Sequence, residues 1–153
     1  PNYQFIIAGA PNIEKSFYKN FLKNIDITIV QNKTYELLSV SSAAIVTSGT
    51  ATLETALFKV PQIVCYKSSF ISYIIAKLLV KIKYISLVNL IMDKEIVKEL
   101  IQQNCNKDSI SLELNKILNT NHRKKLLLNY SKLISVLGKP GTSRRIANDI
   151  IKT

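Results

Sequence analysis

Tryptophan is absent from this chain, histidine and methionine occur once each, and cysteine occurs twice. A single His122 cannot complete a four-ligand zinc site with Cys65 and Cys105. Neither cysteine belongs to a CxxC pair, and two widely spaced cysteines do not make the disulfide framework of a small secreted domain. Cys65 sits in an apolar run, so a buried thiol is expected there. Four glycines and four prolines exclude a collagen-like or low-complexity chain. No apolar run approaches the ~20 residues of a membrane-spanning helix. The longest, Phe70 to Val80, is interrupted by Ser72 and Lys77. The expectation is therefore a soluble or membrane-peripheral protein. No signal-peptide pattern is visible. The chain opens on Pro1 and passes at once into the apolar Phe5-Ile-Ile-Ala8, which reads as a piece cut close to the start of a strand.

Acidic residues are also scarce. Ten Asp plus Glu face 21 Lys plus Arg, for a net charge of +11 and an isoelectric point near 9.7. Such a balance favours anionic partners. It is equally compatible with a Lys- and Ile-rich composition whose charges are solvated, since 18 of the 21 basic residues are lysine. A nucleic-acid surface would interleave aromatic residues with arginine. Only three arginines are present, and the aromatics fall mostly inside apolar segments, so no nucleic-acid partner is expected.

What is present is the alternation of an α/β domain. The 153 residues are 47% hydrophobic, enough for one core. Phe5–Ala8 reads as a strand closed by Gly9. Residues 12–23 carry Ile13, Phe17, Phe21 and Leu22 at helical spacing. Ile25–Val30 reads as a β-branched strand. Thr34–Val40 follows as a short helix, with Thr34 or Asn32 as its cap. Ala43–Val46, Thr50–Lys59 and Pro61–Cys65 continue as strand, helix and strand. Continuously apolar strands separated by helices predict a parallel sheet covered on both faces, in a doubly wound, Rossmann-like arrangement. The last third reads as helical: residues 106–118, 123–137 and, after the Gly138-Lys-Pro-Gly141 break, a tail helix to Lys152 capped by Thr142 or Ser143. The expected organisation is one Rossmann-like domain over 1–137, incomplete at its N-terminus, plus a tail over 138–153. No internal repeat is visible.

The stretch Thr47-Ser-Gly-Thr-Ala-Thr-Leu-Glu54 follows a predicted strand and opens a helix. In open α/β sheets ligands bind outside the carboxyl ends of the strands. A helix N-terminus there presents free amides and roughly half a positive charge. Ser48 and Thr50 add hydroxyls, and Gly49 permits close backbone approach, which suits a phosphate or diphosphate. Glu54, one turn on from Thr50, could accept hydrogen bonds from the two hydroxyls of a ribose. The same residues also fit a plain N-cap, with Ser48 or Thr50 capping and Glu54 as a solvated acid.

Several motifs in fixed order carry a resemblance. Ser48-Gly-Thr-Ala-Thr-Leu-Glu54, Lys59-Val-Pro61, Cys65-Tyr-Lys67, the apolar basic segment 70–81, Tyr84-Ile-Ser-Leu-Val-Asn-Leu90, Val97-Lys-Glu-Leu-Ile-Gln102 and Gly141-Thr-Ser-Arg-Arg-Ile-Ala147 together resemble the lipid-A-disaccharide synthases. The resemblance implies the C-terminal, nucleotide-binding half of a GT-B fold, two Rossmann-like domains working as an inverting glycosyltransferase. It further implies transfer of 2,3-diacylglucosamine from its UDP-sugar to 2,3-diacylglucosamine 1-phosphate, at the cytoplasmic face of a Gram-negative inner membrane. Catalytic residues are expected in the N-terminal half, and this half is expected to be inactive alone. UDP-sugar contacts carry over to Ser48, Gly49, Thr50, Glu54, Tyr66, Lys67, Asn89, Glu99 and Gln102. Lys67 stands where arginine is commoner and Val88 where proline is usual. Glu99 and Gln102 fit donor contact or helix packing alike. No metal or cofactor is implied, and a homodimer exchanging C-terminal elements is compatible with the resemblance. Two other readings compete: a different GT-B-like UDP-sugar enzyme, and a basic, non-enzymatic binding module.

From Thr55 to Met92 there is no acid, while Lys59, Lys67, Lys77, Lys81 and Lys83 are present. Within it the 70–83 segment has apolar residues at helical spacing beside lysines. That pattern suits an anionic membrane surface, or a core helix with snorkelling lysines.

Overall fold

A computed structural model describes residues 3–23, 25–69, 83–138, 141, 147–148 and 150–151. The chain forms two compact units, Pro1–Ser41 and Ser42–Thr153.

The first unit holds β1 (Ile6–Gly9), α1 (Lys15–Leu22), β2 (Thr28–Gln31) and α2 (Thr34–Val40). β1 and β2 pair in parallel, with Ile6 opposite Thr28 and Gly9 opposite Gln31. A Cβ on Gly9 would lie 3.0 Å from Gln31 Cγ and 3.3 Å from Ile29 Cγ2, so a side chain at this strand end would require those two side chains to shift. The connection from β1 to α1 is pinned by two bonds. Ala10 N–H donates to the Tyr18 hydroxyl at 2.7 Å, and Gln31 Nε2 donates to Ile13 O at 2.7 Å. α1 begins at Lys15 rather than residue 12, because Glu14 is held extended at the N-cap position. β2 begins at Thr28 rather than Ile25. α2 has the predicted bounds, but Lys33 occupies its N-cap position, without a side-chain cap, so neither Thr34 nor Asn32 caps it.

The second unit holds β3 (Ala44–Thr47), α3 (Thr50–Leu57), β4 (Gln62–Tyr66), α4 (Leu87–Met92), β5 (Lys98–Ile101), a 3-10 turn (Gln102–Asn104), α5 (Lys107–Leu118) and α6 (Thr120–Leu137). The three strands are parallel in the order β3-β4-β5. Thr47 stands opposite Cys65, and Cys65 opposite Leu100. α3 ends at Leu57 because Lys59 turns left-handed, at φ 57°. Asn106 caps α5 through Ser109 N–H, and Asn119 caps α6 through Asn121 N–H. That second cap starts α6 three residues before Arg123. β5 was not among the strands expected from the sequence, while the helices expected at 106–118 and 123–137 are present as α5 and α6. Residues 147–148 and 150–151 are helical; the rest of the predicted tail helix, and residues 70–82 of the basic segment, lie outside the described residues.

β4 is the strand the core is built on. Gln62, Ile63 and Val64 have no exposed surface, as expected for the middle of a parallel sheet covered by helices. Ala56 of α3, Val88 of α4, Val97, Ile117 of α5, and Leu126, Tyr130 and Leu133 of α6 close around it. The coverage is not uniform: Ile45 of β3 is 49% exposed. Cys65, expected to be buried, is only half-buried at the strand's end.

One polar cluster interrupts this core. The Gln62 Nε2 donates to Thr52 O at 2.8 Å and meets the Tyr130 hydroxyl at 3.3 Å, tying β4 to α3 and α6. Its Oε1 has no partner among the described residues, a cost of about 1–3 kcal/mol that the surrounding apolar burial must offset. Burial pushes the Tyr130 phenol well above its usual range, with the Gln62 contacts opposing the shift. The raised value belongs to the folded state alone. Its stabilisation is thus complete below the unfolded tyrosine pKa, about 10, and is lost as pH rises beyond that. Tyr130→Phe should cost about 1 kcal/mol at neutral pH. Between about pH 8 and about pH 11 its urea midpoint should fall less than that of the parent chain. Equal falls would show that the phenol does not resist ionisation.

Candidate functional site

Parallel pairing brings the carboxyl ends of β3, β4 and β5 to one edge of the sheet. Thr47, Tyr66 and Ile101 end the three strands there. The following segments are Ser48–Thr50, Lys67–Ser69 and Gln102–Asn104. Six of the nine residues singled out from sequence, Ser48, Gly49, Thr50, Tyr66, Lys67 and Gln102, therefore share this edge. Glu54 lies one turn into α3, Asn89 on α4, and Glu99 within β5.

The β3–α3 turn is built for an open helix mouth. Gly49 occupies the N-cap position at φ 139°, a conformation that disfavours any Cβ. Open space surrounds the place where a Cβ would be, so the glycine is required by the backbone and not by crowding. No side chain caps α3. The Thr52 amide and hydroxyl both turn back to Gly49 O, at 3.2 and 2.8 Å. Among the described residues the exposed Thr50 and Ala51 amides have no hydrogen-bond partner. Neither Ser48 nor Thr50 thus acts as the plain N-cap that their sequence positions also allowed. Ser48 Oγ instead donates to Ile85 O at 2.9 Å, which spends its proton on fixing the turn to another loop. Glu54 is half-buried, and its carboxylate has no hydrogen-bond or ion-pair partner among the described residues.

The loop that receives Ser48 is held by one carboxylate. Glu99 Oε2 accepts from Ile85 N–H at 3.0 Å. Its Oε1 accepts from Ser86 N–H, Ser86 Oγ and Asn89 Nδ2, at 2.9, 2.8 and 2.8 Å. Asn89 has no exposed surface. Its Nδ2 also donates to Val97 O at 2.8 Å, and its Oδ1 accepts from Ile96 and Val97 N–H at 2.7 and 3.0 Å. All hydrogen-bonding positions of that amide are occupied inside the protein. Ser86 additionally caps α4 by accepting from Asn89 N–H. Asn89 and Glu99 are therefore geometric supports of the 85–89 loop in this structure.

Gln102 is a second support. It adopts a left-handed backbone, φ 51°. Its Oε1 accepts from Ser68 N–H at 3.0 Å and its Nε2 donates to Ser68 O at 3.3 Å. This two-bond clasp fixes the chain leaving β4, one residue beyond the exposed Lys67. Tyr66 is half-buried, and Lys83 sits 5.1 Å from the Tyr84 ring centre, within cation–π range. The partners Ser68, Ile85 and Ser86 were not singled out from sequence. Only Ser86, three residues before Asn89, carries a capping signal.

Parallel strands that end at a loop-lined edge, beside an uncapped helix N-terminus, define a Rossmann-like α/β protein. Residues 4–147 match the family described as Lipid-A-disaccharide synthetase. The chain is 32% identical to the Lipid-A-disaccharide synthase of Anaeromyxobacter dehalogenans (strain 2CP-C), over 99% of this chain and 40% of that protein. It is 36% identical to the enzyme of the same name from Syntrophus aciditrophicus, over 94% of this chain and 39% of the relative. For the Psychromonas ingrahamii protein of that name the values are 40%, 77% and 32%. The chain belongs to the lipid-A-disaccharide synthetase family. It spans at most 40% of the length of these curated relatives.

Glu99→Gln should destabilise the protein by about 3 kcal/mol, because an amide N–H₂ would face donors that now meet a charged acceptor. Lys98→Ala, which breaks only the exposed pair with Glu95, should change stability by less than about 0.5 kcal/mol. Urea unfolding of both variants measures the difference, and similar values would contradict the role given to Glu99.

Proposed function

We infer that this chain is the donor-nucleotide half of a lipid-A-disaccharide synthase. The whole enzyme would transfer 2,3-diacylglucosamine from its UDP-sugar to 2,3-diacylglucosamine 1-phosphate, giving a lipid A disaccharide 1-phosphate and UDP. The observation that carries this reading is the pairing of an open helix mouth at Gly49–Ala51 with an unpartnered Glu54 one turn further on. The first offers amides and the positive end of a helix dipole to a diphosphate. The second offers a carboxylate to ribose hydroxyls. Membership of the family supplies the substrate class.

In this scheme the Thr50 and Ala51 amides hold the diphosphate and offset the charge that grows on it as the glycosidic bond breaks. Lys67, as a point charge, and Tyr66 flank it from the end of β4. Glu99 and Asn89 set the 85–89 loop, Ser48 joins that loop to the helix mouth, and Gln102 sets the exit of β4. The base that deprotonates the acceptor hydroxyl belongs to the part of the longer enzymes that this chain does not match. Residues 1–137 form the donor domain and 138–153 its tail.

On this reading the enzyme works at the cytoplasmic face of the inner membrane as a peripheral protein, and the basic, apolar sequence of segment 70–83 suits contact with anionic lipid. A homodimer belongs to the same reading. Among the described residues no helix is long and apolar enough to cross a membrane.

Titration calorimetry should detect UDP binding in preference to CMP and ADP. Glu54→Ala should weaken it by roughly 10- to 100-fold, the loss expected for charged hydrogen bonds of about 1.5–3 kcal/mol. Unchanged affinity in the variant would remove Glu54 from the ribose site. These 153 residues by themselves should form no disaccharide from the two acylated sugars. Product from the purified chain would overturn the division into donor half and catalytic half.

A further inference from the structure

Among the described residues, Gln62 Oε1 is the one buried side-chain polar atom without a hydrogen bond. Gln62 opens β4 and has no exposed surface. Turning its amide over does not cure the defect. Nε2 donates to Thr52 O at 2.8 Å, and exchanging the two amide atoms would set one acceptor oxygen against another at that distance. The Thr52 carbonyl therefore fixes the sense of the amide and leaves Oε1 pointing away from it.

The same amide touches a second incomplete group. Nε2 also donates to the Tyr130 hydroxyl oxygen at 3.3 Å, so the phenol is the acceptor in that bond. Its own O–H has no acceptor among the described residues. Tyr130 has no exposed surface either, and burial pushes its pKa well above the usual range, so the phenol keeps this proton. The two buried threonines of α3 cannot donate to Oε1. Thr52 Oγ1 has given its proton to Gly49 O at 2.8 Å, and Thr55 Oγ1 has given its own to Ala51 O at 2.7 Å. Tyr130 otherwise belongs to an apolar cluster with Ala56, Ile63, Leu126 and Leu133.

We propose that Gln62 and Tyr130 form a binding site for one internal water molecule, which accepts the Tyr130 O–H and donates to Gln62 Oε1.

An unpaired donor and an unpaired acceptor on two touching side chains call for a small ligand that both accepts and donates. The ligand must also be neutral, because the fully buried polar side chains carry no charge and an ion among them would go uncompensated. Water meets all three conditions. Buried waters make about two to four hydrogen bonds to groups that otherwise go unpaired, and two such groups are in place here. The water supplies the bond that the amide oxygen lacks, and it completes the polar joint between β4, α3 and α6. This inference rests on the fold alone and stands whether or not the strand edge binds a nucleotide.

Oxygen-17 relaxation dispersion of the solvent tests it, because the method counts long-lived internal waters and does not respond to exchanging hydroxyl protons. It is recorded on the 153-residue chain and on Gln62→Leu, Tyr130→Phe and the double variant. Each single variant removes one partner of the water and should lower the dispersion amplitude by one water molecule. The double variant should lose that same single water. Should Gln62→Leu fail to fold, Tyr130→Phe, which removes only the hydroxyl oxygen, carries the test. An amplitude unchanged in either folded single variant would overturn the site. Loss of two waters in the double variant would overturn the sharing of one water by the two side chains.

Discussion

The carboxylate of Glu99 is the constraint on which this site depends. It leaves β5 and gathers four hydrogen bonds from the start of α4: two backbone amides, a serine hydroxyl and a buried asparagine amide. A loop of this kind exposes several donors at once, and a charged acceptor satisfies them at lower cost than separate neutral partners would. Asn89 then carries the constraint back to Ile96 and Val97, immediately before β5. The loop and the strand therefore define each other. Ser48, by donating to Ile85 O, extends the same network to the turn before α3.

This network separates groups that build the edge from groups that remain open on it. Ser48 Oγ, Asn89, Glu99 and Gln102 have committed their polar atoms to the protein. Thr50, Ala51, Glu54 and Lys67 have not. The open set consists of helix-terminal amides, a carboxylate and a cation, the groups that the proposed donor site would turn to a nucleoside diphosphate. Their value rests on the rigidity of the committed set, since a pre-organised donor need not be rearranged when charge develops on a leaving group.

The architecture was legible in the sequence where a single physical signal dominates. β4 reads as a buried strand because Ile63, Val64 and Cys65 form a continuous apolar run, and α2 has the bounds its spacing predicts. The β3–α3 turn was legible from its Gly49 and its place between strand and helix. β5 was not legible. Two of its four residues are charged, Lys98 faces solvent and Glu99 turns towards the α4 loop, so no apolar run marks it. α1 starts late because Glu14 is extended, a backbone state that helical spacing does not report. The contact roles of Asn89 and Gln102 were equally hidden: an amide that reaches a ligand and one that closes a loop have the same sequence.

The reading of the edge as a nucleotide site rests on the amides at the mouth of α3. Backbone ¹⁵N–¹H correlation spectra recorded during UDP addition test it directly. The account predicts that the largest amide shifts fall at Gly49, Thr50 and Ala51. Largest shifts at the basic first turn of α6, His122–Lys125, with the α3 mouth unmoved, would contradict it.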